Sequence, residues 1–255
     1  MTDKETSGET DFGFRRVPEA EKAPMVRALF DDVAFRYDLM NDLMSGGLHR
    51  LWKAEMVASL KPRSGQRLID VAGGTGDIAL RALSALKPEE SGGGAVVCDV
   101  SAAMLEEGRA RALDRGILAG LDWVVADGER LPFADRSFDL YTIAFGLRNL
   151  THIPAALAEA RRVLRPGGRF LALEFTPAVL PPFQPLYDLY SFAVLPLMGR
   201  IITGEGAAYR YLVESIRRFP RQGELSAMIT AAGLERVRFR NLLGGVTALH
   251  SAWRL

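Results

Sequence analysis

Short apolar runs separated by polar turns fill the middle of the chain. RLIDV (67–71), AVVCDV (95–100), LDWVVAD (121–127), SFDLYTIAFG (137–146) and RFLALEF (169–175) read as strands. Between them, residues 77–86, 102–115 and 154–164 carry apolar side chains at helical spacing, while SGGG (91–94) and RPGG (165–168) read as turns. The strands are apolar nearly throughout rather than alternating, as expected of strands covered by helices on both faces. Strand and helix alternate at short spacing, which predicts a doubly wound α/β sheet, mostly parallel.

Two regions depart from this rhythm. Residues 24–60 are dense in large side chains, with Met25, Leu29, Val33 and Tyr37 at helical spacing, a break at Gly46 and Gly47, and a second helix over 51–60. This predicts a helical cap ahead of the first strand. Residues 177–219 are proline-rich and then aromatic, and read as an insertion packed over the ligand edge of the sheet. The pattern resumes with a helix over 223–233 and strands over 235–241 and 246–253, giving seven strands in a single domain over 23–255. Residues 1–22 are polar and are expected to be mobile.

Composition narrows the function classes. The 255 residues carry a net charge of +1, so no broad field draws the protein to nucleic acid. The single cysteine, Cys98, lies inside AVVCDV and reads as a buried structural thiol, which fits a reducing compartment. His49, His152 and His250 lack metal-ligand spacing, and no metal is expected. MTDKETSGETDFGF lacks the basic and apolar regions of a secretory signal, and no apolar run of about 18 residues predicts a membrane span.

Candidate chemistry gathers at the strand ends. Asp70, Gly73, Gly74 and Gly76 form a loop of spacing D-x-A-G-G-T-G, distinct from the G-x-G-x-x-G of dinucleotide sites. Asp77 follows at the start of a helix. Its carboxylate would satisfy the positive helix end and repel a phosphate, which favours a cationic ligand such as the sulfonium of S-adenosylmethionine. A plain N-cap is the other reading of Asp77. Asp99 ends the second strand, where a carboxylate can accept both ribose hydroxyls or cap the next helix. Asp127 and Gly128 follow the third, where they can take an adenine amino group and let the ring lie against the backbone.

These residues resemble the class I, Rossmann-like methyltransferases that use S-adenosylmethionine. FDDVAFRYDLMNDLMSGGLHRLWK, LIDVAGGTGDIAL, FGLRNL, YSFAVLPLMGRIITG, YRYLVESIRRFP and GGVTALH follow in order, and with them nearly the whole chain is similar to the UbiE/MenG family of quinone-biosynthesis C-methyltransferases. The resemblance implies methylation of a ring carbon of 2-polyprenyl-6-methoxy-1,4-benzoquinol or demethylmenaquinol. By motif it implies donor contacts at Thr75, Asp99, Asp127 and Gly128, with the loop of Asp70, Gly73, Gly74 and Gly76 around them. Ala144 departs from the family, which often has serine there.

Carbon methylation needs an electron-rich ring, and loss of a phenolic proton supplies one. Arg148 and Asn149 close the fourth strand and are candidate catalytic groups. Arg148 would stabilise the developing phenolate, a salt bridge being its other reading, and a helix cap that of Asn149. His152 reads as a surface residue rather than the base. Tyr37 and Asp38 read as a cover for the donor or as core. Tyr187, Tyr190, Phe192, Leu195, Leu197 and Met198 suit either a groove for the polyprenyl tail or the interface of a homo-oligomer or quinone-biosynthesis complex. The expected enzyme is cytoplasmic, with peripheral contact at the inner face of the membrane. The competing readings are a methyltransferase for another lipid or small molecule, a donor-binding scaffold without activity, and an NAD-dependent oxidoreductase.

Overall fold

The computed structural model describes residues 8–33, 42, 45–88, 92–177 and 206–255. A seven-stranded sheet forms its centre. Five parallel strands, β3 (Arg67–Val71), β4 (Gly94–Asp99), β5 (Leu121–Val125), β6 (Phe138–Ala144) and β7 (Leu164–Phe175), are followed by β8 (Glu235–Leu242) and β9 (Thr247–Arg254). Their order is β5-β4-β3-β6-β7-β9-β8, with β9 antiparallel to both its neighbours. The chain leaves β3 toward β4 on one side and returns to β6 on the other. The switch point, where open α/β sheets bind ligands, therefore lies between β3 and β6.

Alternation along the strands fills two cores. Leu68, Val97, Leu140 and Leu171 face one side, where they meet Trp52, Met56 and Leu60 of α2 (His49–Leu60) and Leu86 of α3 (Asp77–Leu86). Ile69, Val96, Tyr141 and Phe170 face the other, against Leu157 of α5 (Ile153–Val163) and Leu225 of α7 (Gln222–Ala231). Cys98 is buried in this second core, where burial pushes its thiol up to about 12. The remaining described helices are α1 (Glu19–Val33), α4 (Ala102–Asp114) and α6 (Gly206–Arg218). Among the described residues, no helix is long and apolar enough to cross a membrane.

Three elements differ from the pattern read in the sequence. The polar N-terminus expected to be mobile folds from residue 9 as a hairpin, β1 (Glu9–Phe12) and β2 (Arg15–Pro18), continuing directly into α1. Arg16 binds Glu9 and Asp11 across it, and Val17 is buried, so two short charged strands hold together on pairing and one apolar anchor. α1 starts at Glu19, ahead of the proline where the helical cap was expected to begin, and carries Pro24 within it. RPGG is absorbed into β7 as an irregularity. Leu164 pairs with Phe138 and Arg169 with Leu140, so the turn is a bulge that keeps both ends in the ladder. Of the insertion over 177–219, residue 177 and residues 206–219, which include α6, are described. Tyr187, Tyr190, Phe192, Leu195, Leu197, Met198, Tyr37 and Asp38 lie outside the described residues.

Candidate active site

A cleft opens at the switch point, where open α/β sheets take their ligands. Ala23, Val26 and Phe30 of α1 roof it. Ala72 and Gly74 come from the loop after β3, Asp99 and Val100 from the end of β4, Asp127 and Gly128 from beyond β5, and Gly146 and Asn149 from beyond β6. The backbone is compressed here. Ala72 and Phe145 have φ of 49° and 57°, in the left-handed region that side chains rarely adopt. A Cβ on Gly146 would lie 2.4 Å from that of Ala72, so only glycine lets the two loops meet.

The glycine loop spends its N–H groups on the protein itself. Gly73 N donates to Cys98 O at 3.0 Å, Gly76 N to Gly73 O at 2.8 Å, and Gly74 N to Asp99 Oδ2 at 2.9 Å. A phosphate cradle needs such groups free. Asp99 also accepts from Ser101 N at 2.9 Å, so both carboxylate oxygens are fixed while the side chain still faces the cleft. Burial pushes its pKa up, opposed by the backbone donors of Ser101, Gly74 and Val100. The helix cap is Ser101, whose Oγ accepts from Met104 N at 3.1 Å, which leaves Asp99 for a ligand. Asp127 Oδ1 accepts from Glu129 N at 2.9 Å in a tight turn, and Glu129 in turn holds the backbone of Thr151 and His152.

Other predicted site residues sit elsewhere. Asp70 is fully buried behind the loop, where Thr142 donates to its Oδ1 at 2.8 Å. Gly73 and Gly76 abut Val97 and Trp123 rather than the cleft, because the loop must pack closely on the sheet. Thr75 is buried and opens on a neighbouring polar pocket with His49, Asp77 and Arg81. Asp77 is not the uncompensated carboxylate that would attract a cation. Lys53 Nζ lies 3.1 Å and Arg81 Nε 2.9 Å from it, and although burial raises its pKa these cations outweigh burial and bring it below the usual value. What argues against a phosphate here is the commitment of the three glycine N–H groups, not Asp77.

Arg148 also has a partner. Its Nη1 lies 2.6 Å from Glu174 Oε1 and also donates to Phe145 O, with both side chains buried. It does not line the cleft. The reading of Arg148 as a free cation for a phenolate is therefore corrected. Its charge is met by a carboxylate, and the pair fixes the turn that presents Asn149. Asn149 does line the cleft, and its Oδ1 accepts from Tyr211 of α6 at 3.2 Å. His152 is half-exposed between Glu129 and Glu19, at 2.9 and 3.2 Å. Glu174 and Tyr211 carry no motif of their own in the sequence; the one signal is the lone carboxylate in the apolar run RFLALEF, which demands a buried partner.

Residues 17–254 match the model of the ubiE/COQ5 methyltransferase family. The chain belongs to that family. The methyltransferase is 55% identical over 250 residues to the ubiquinone/menaquinone biosynthesis C-methyltransferase UbiE of Dinoroseobacter shibae, covering 98% of each chain. It is 56% identical over 247 residues to the protein of the same name from Paracoccus denitrificans, covering 97% of each. Among solved structures, a SAM-dependent methyltransferase from Thermotoga maritima superposes with a TM-score of 0.63 at 17% identity, over 90% of this chain and 100% of the other. One from Aquifex aeolicus gives 0.60 at 15%, over 86% and 98%. These structures share the class I α/β fold of this methyltransferase.

Proposed function

We propose that this methyltransferase transfers the methyl group of S-adenosylmethionine to a ring carbon of a polyprenyl quinol, 2-polyprenyl-6-methoxy-1,4-benzoquinol or demethylmenaquinol, in ubiquinone/menaquinone biosynthesis. The observation that carries this reading is the 55% identity spread over 98% of both chains, which includes the N-terminal helices and the insertion. The donor supplies an electrophilic methyl on sulfur. The ring carbon forms a bond to that methyl as the carbon–sulfur bond breaks, and the ring releases one proton.

The chain's own residues divide the work. Asp99, pinned through both oxygens, accepts the ribose hydroxyls. Asp127 turns its second oxygen to the adenine amino group, and Gly128 lets the ring approach the backbone. Asn149 offers its amide to the acceptor's oxygen, held in place by the Arg148–Glu174 pair behind it. Gly73, Gly76 and Asp70 shape the loop from behind. The lipophilic acceptor lies in the bilayer, and the enzyme meets it as a peripheral protein.

The test is methyl transfer from labelled donor to a short-tail quinol, read as a methylated ring in the product. Asp99→Ala should weaken donor binding by tenfold or more, since charge-assisted bonds of this kind are worth about 1.5–3 kcal/mol. Calorimetry checks this, with Asp99→Asn as the variant that keeps an acceptor for Ser101 N. No product from any quinol, or unchanged donor affinity in both variants, would overturn the reading.

A further inference from the structure

Asn149 lines the cleft beside Asp99 and Asp127, and the direction of its amide decides whether a ligand there meets a donor or an acceptor. The last torsion of asparagine is soft and roughly two-fold, so an isolated amide presents either its oxygen or its nitrogen. Here Tyr211 donates its O–H to Oδ1 at 3.2 Å, which turns Nδ2 the other way. The bond is long for O–H···O and biases the amide rather than locking it.

Tyr211 owes its place to a segment far away in sequence. Its ring stacks on Phe12 of β1, with centroids 4.4 Å apart and planes at 27°. One turn along α6, Glu214 accepts from Phe14 N at 3.0 Å. The hairpin turn itself is cut to fit this helix. Gly13 has φ of 63°, and a Cβ there would fall 2.3 Å from Glu214 Oε2. The other flank of Asn149 is tied to the same segment, because Lys22 Nζ donates to Leu150 O at 2.8 Å. Tyr211 is 5% exposed, and burial pushes its phenol pKa up, so it stays a protonated donor.

We propose that Tyr211 is a positioning residue for methyl transfer: seated by the N-terminal hairpin, its phenol holds the Asn149 amide with the nitrogen turned to the acceptor. This deepens the role given to Asn149 above and rests on it. Asn149 touches the acceptor, and Tyr211 acts through Asn149.

Tyr211→Phe keeps the ring, the stack on Phe12 and the fold, and removes one hydroxyl. The expected result is a kcat about tenfold lower, with donor affinity and acceptor KM within about twofold of the parent and an unchanged melting temperature. The decisive measurement adds Asn149→Ala alone and with Tyr211→Phe. If the phenol acts through the amide, Tyr211→Phe has no further effect once Asn149 is gone. A full additional loss in the double variant overturns the inference, as does a Tyr211→Phe enzyme with parental kcat. An Asn149→Ala enzyme with parental turnover instead overturns the role of Asn149 itself.

Discussion

The side chains of Arg148 and Glu174 are 4% and 2% exposed, so neither ion has water to fall back on. Burial raises the pKa of Glu174, and Arg148 with the N–H groups of Phe175 and Arg148 opposes it. Removing one partner of such a pair typically costs about 3–5 kcal/mol, because the other charge is left buried and unpaired. Arg148→Ala should therefore lose stability on that scale in a urea melt. Adding Glu174→Gln should recover part of it by removing the stranded charge. Arg148→Lys should recover part of it, since both bonds leave the single nitrogen Nη1 and an ammonium can donate to Glu174 and Phe145 O as far as its shorter stem reaches. A single-site variant that melts with the parent would return Arg148 to the role of an available cation. The sequence named Arg148 and allowed it a salt bridge, but Glu174 lies 26 residues further on, and only the pairing of β6 with β7 brings them together.

The end of β3 shows how one element couples loop geometry to pH. Asp70 is sealed between the glycine loop and β6. Burial, opposed by the Thr142 hydroxyl and the charge of Lys53, raises its pKa from 3.8 to about 7. The folded protein therefore binds a proton more tightly than the unfolded chain does. Stability from this group is fully present below about pH 4, falls as pH rises from there to about 7, and is lost above. Asp70→Asn should flatten that slope in denaturant melts run across the same window, whatever it does to the absolute level. A parental slope in the variant would assign the pH dependence to other groups. Elements of this kind were legible where burial on both faces writes a continuous apolar run, as in RLIDV and RFLALEF. β1 and β2 were not, because ETDF and RRVP are too short, and Phe12 and Val17 too few, to write a recognisable apolar face. Nor was the Tyr211 contact, which joins residues 62 apart through packing that no local pattern records.

At the scale of the molecule, the cleft draws its walls from α1 and from the ends of β3, β4, β5 and β6, so a donor bound there ties most of the first 150 residues together. The strand-end carboxylates Asp99 and Asp127 were readable in the sequence because each closes an apolar run, and the fold brings both to the cleft. The loop's internal hydrogen bonds were not readable, and they now carry the discrimination between ligands. A ligand that binds only the folded state adds about 2.7 kcal/mol at a hundred times its Kd. For a domain of this size that is on the order of 5–10 °C in Tm. S-adenosylmethionine should raise the melting temperature by that much. NAD should leave it unmoved, because Gly73, Gly74 and Gly76 have already committed their N–H groups to Cys98, Asp99 and Gly73. In Asp99→Ala, a tenfold weaker site at the same donor concentration keeps only about half of the stabilisation. Differential scanning calorimetry with each ligand measures all three. A saturable shift with NAD at micromolar concentration would mean that the loop opens to free its backbone donors, and the argument from their occupancy would fail.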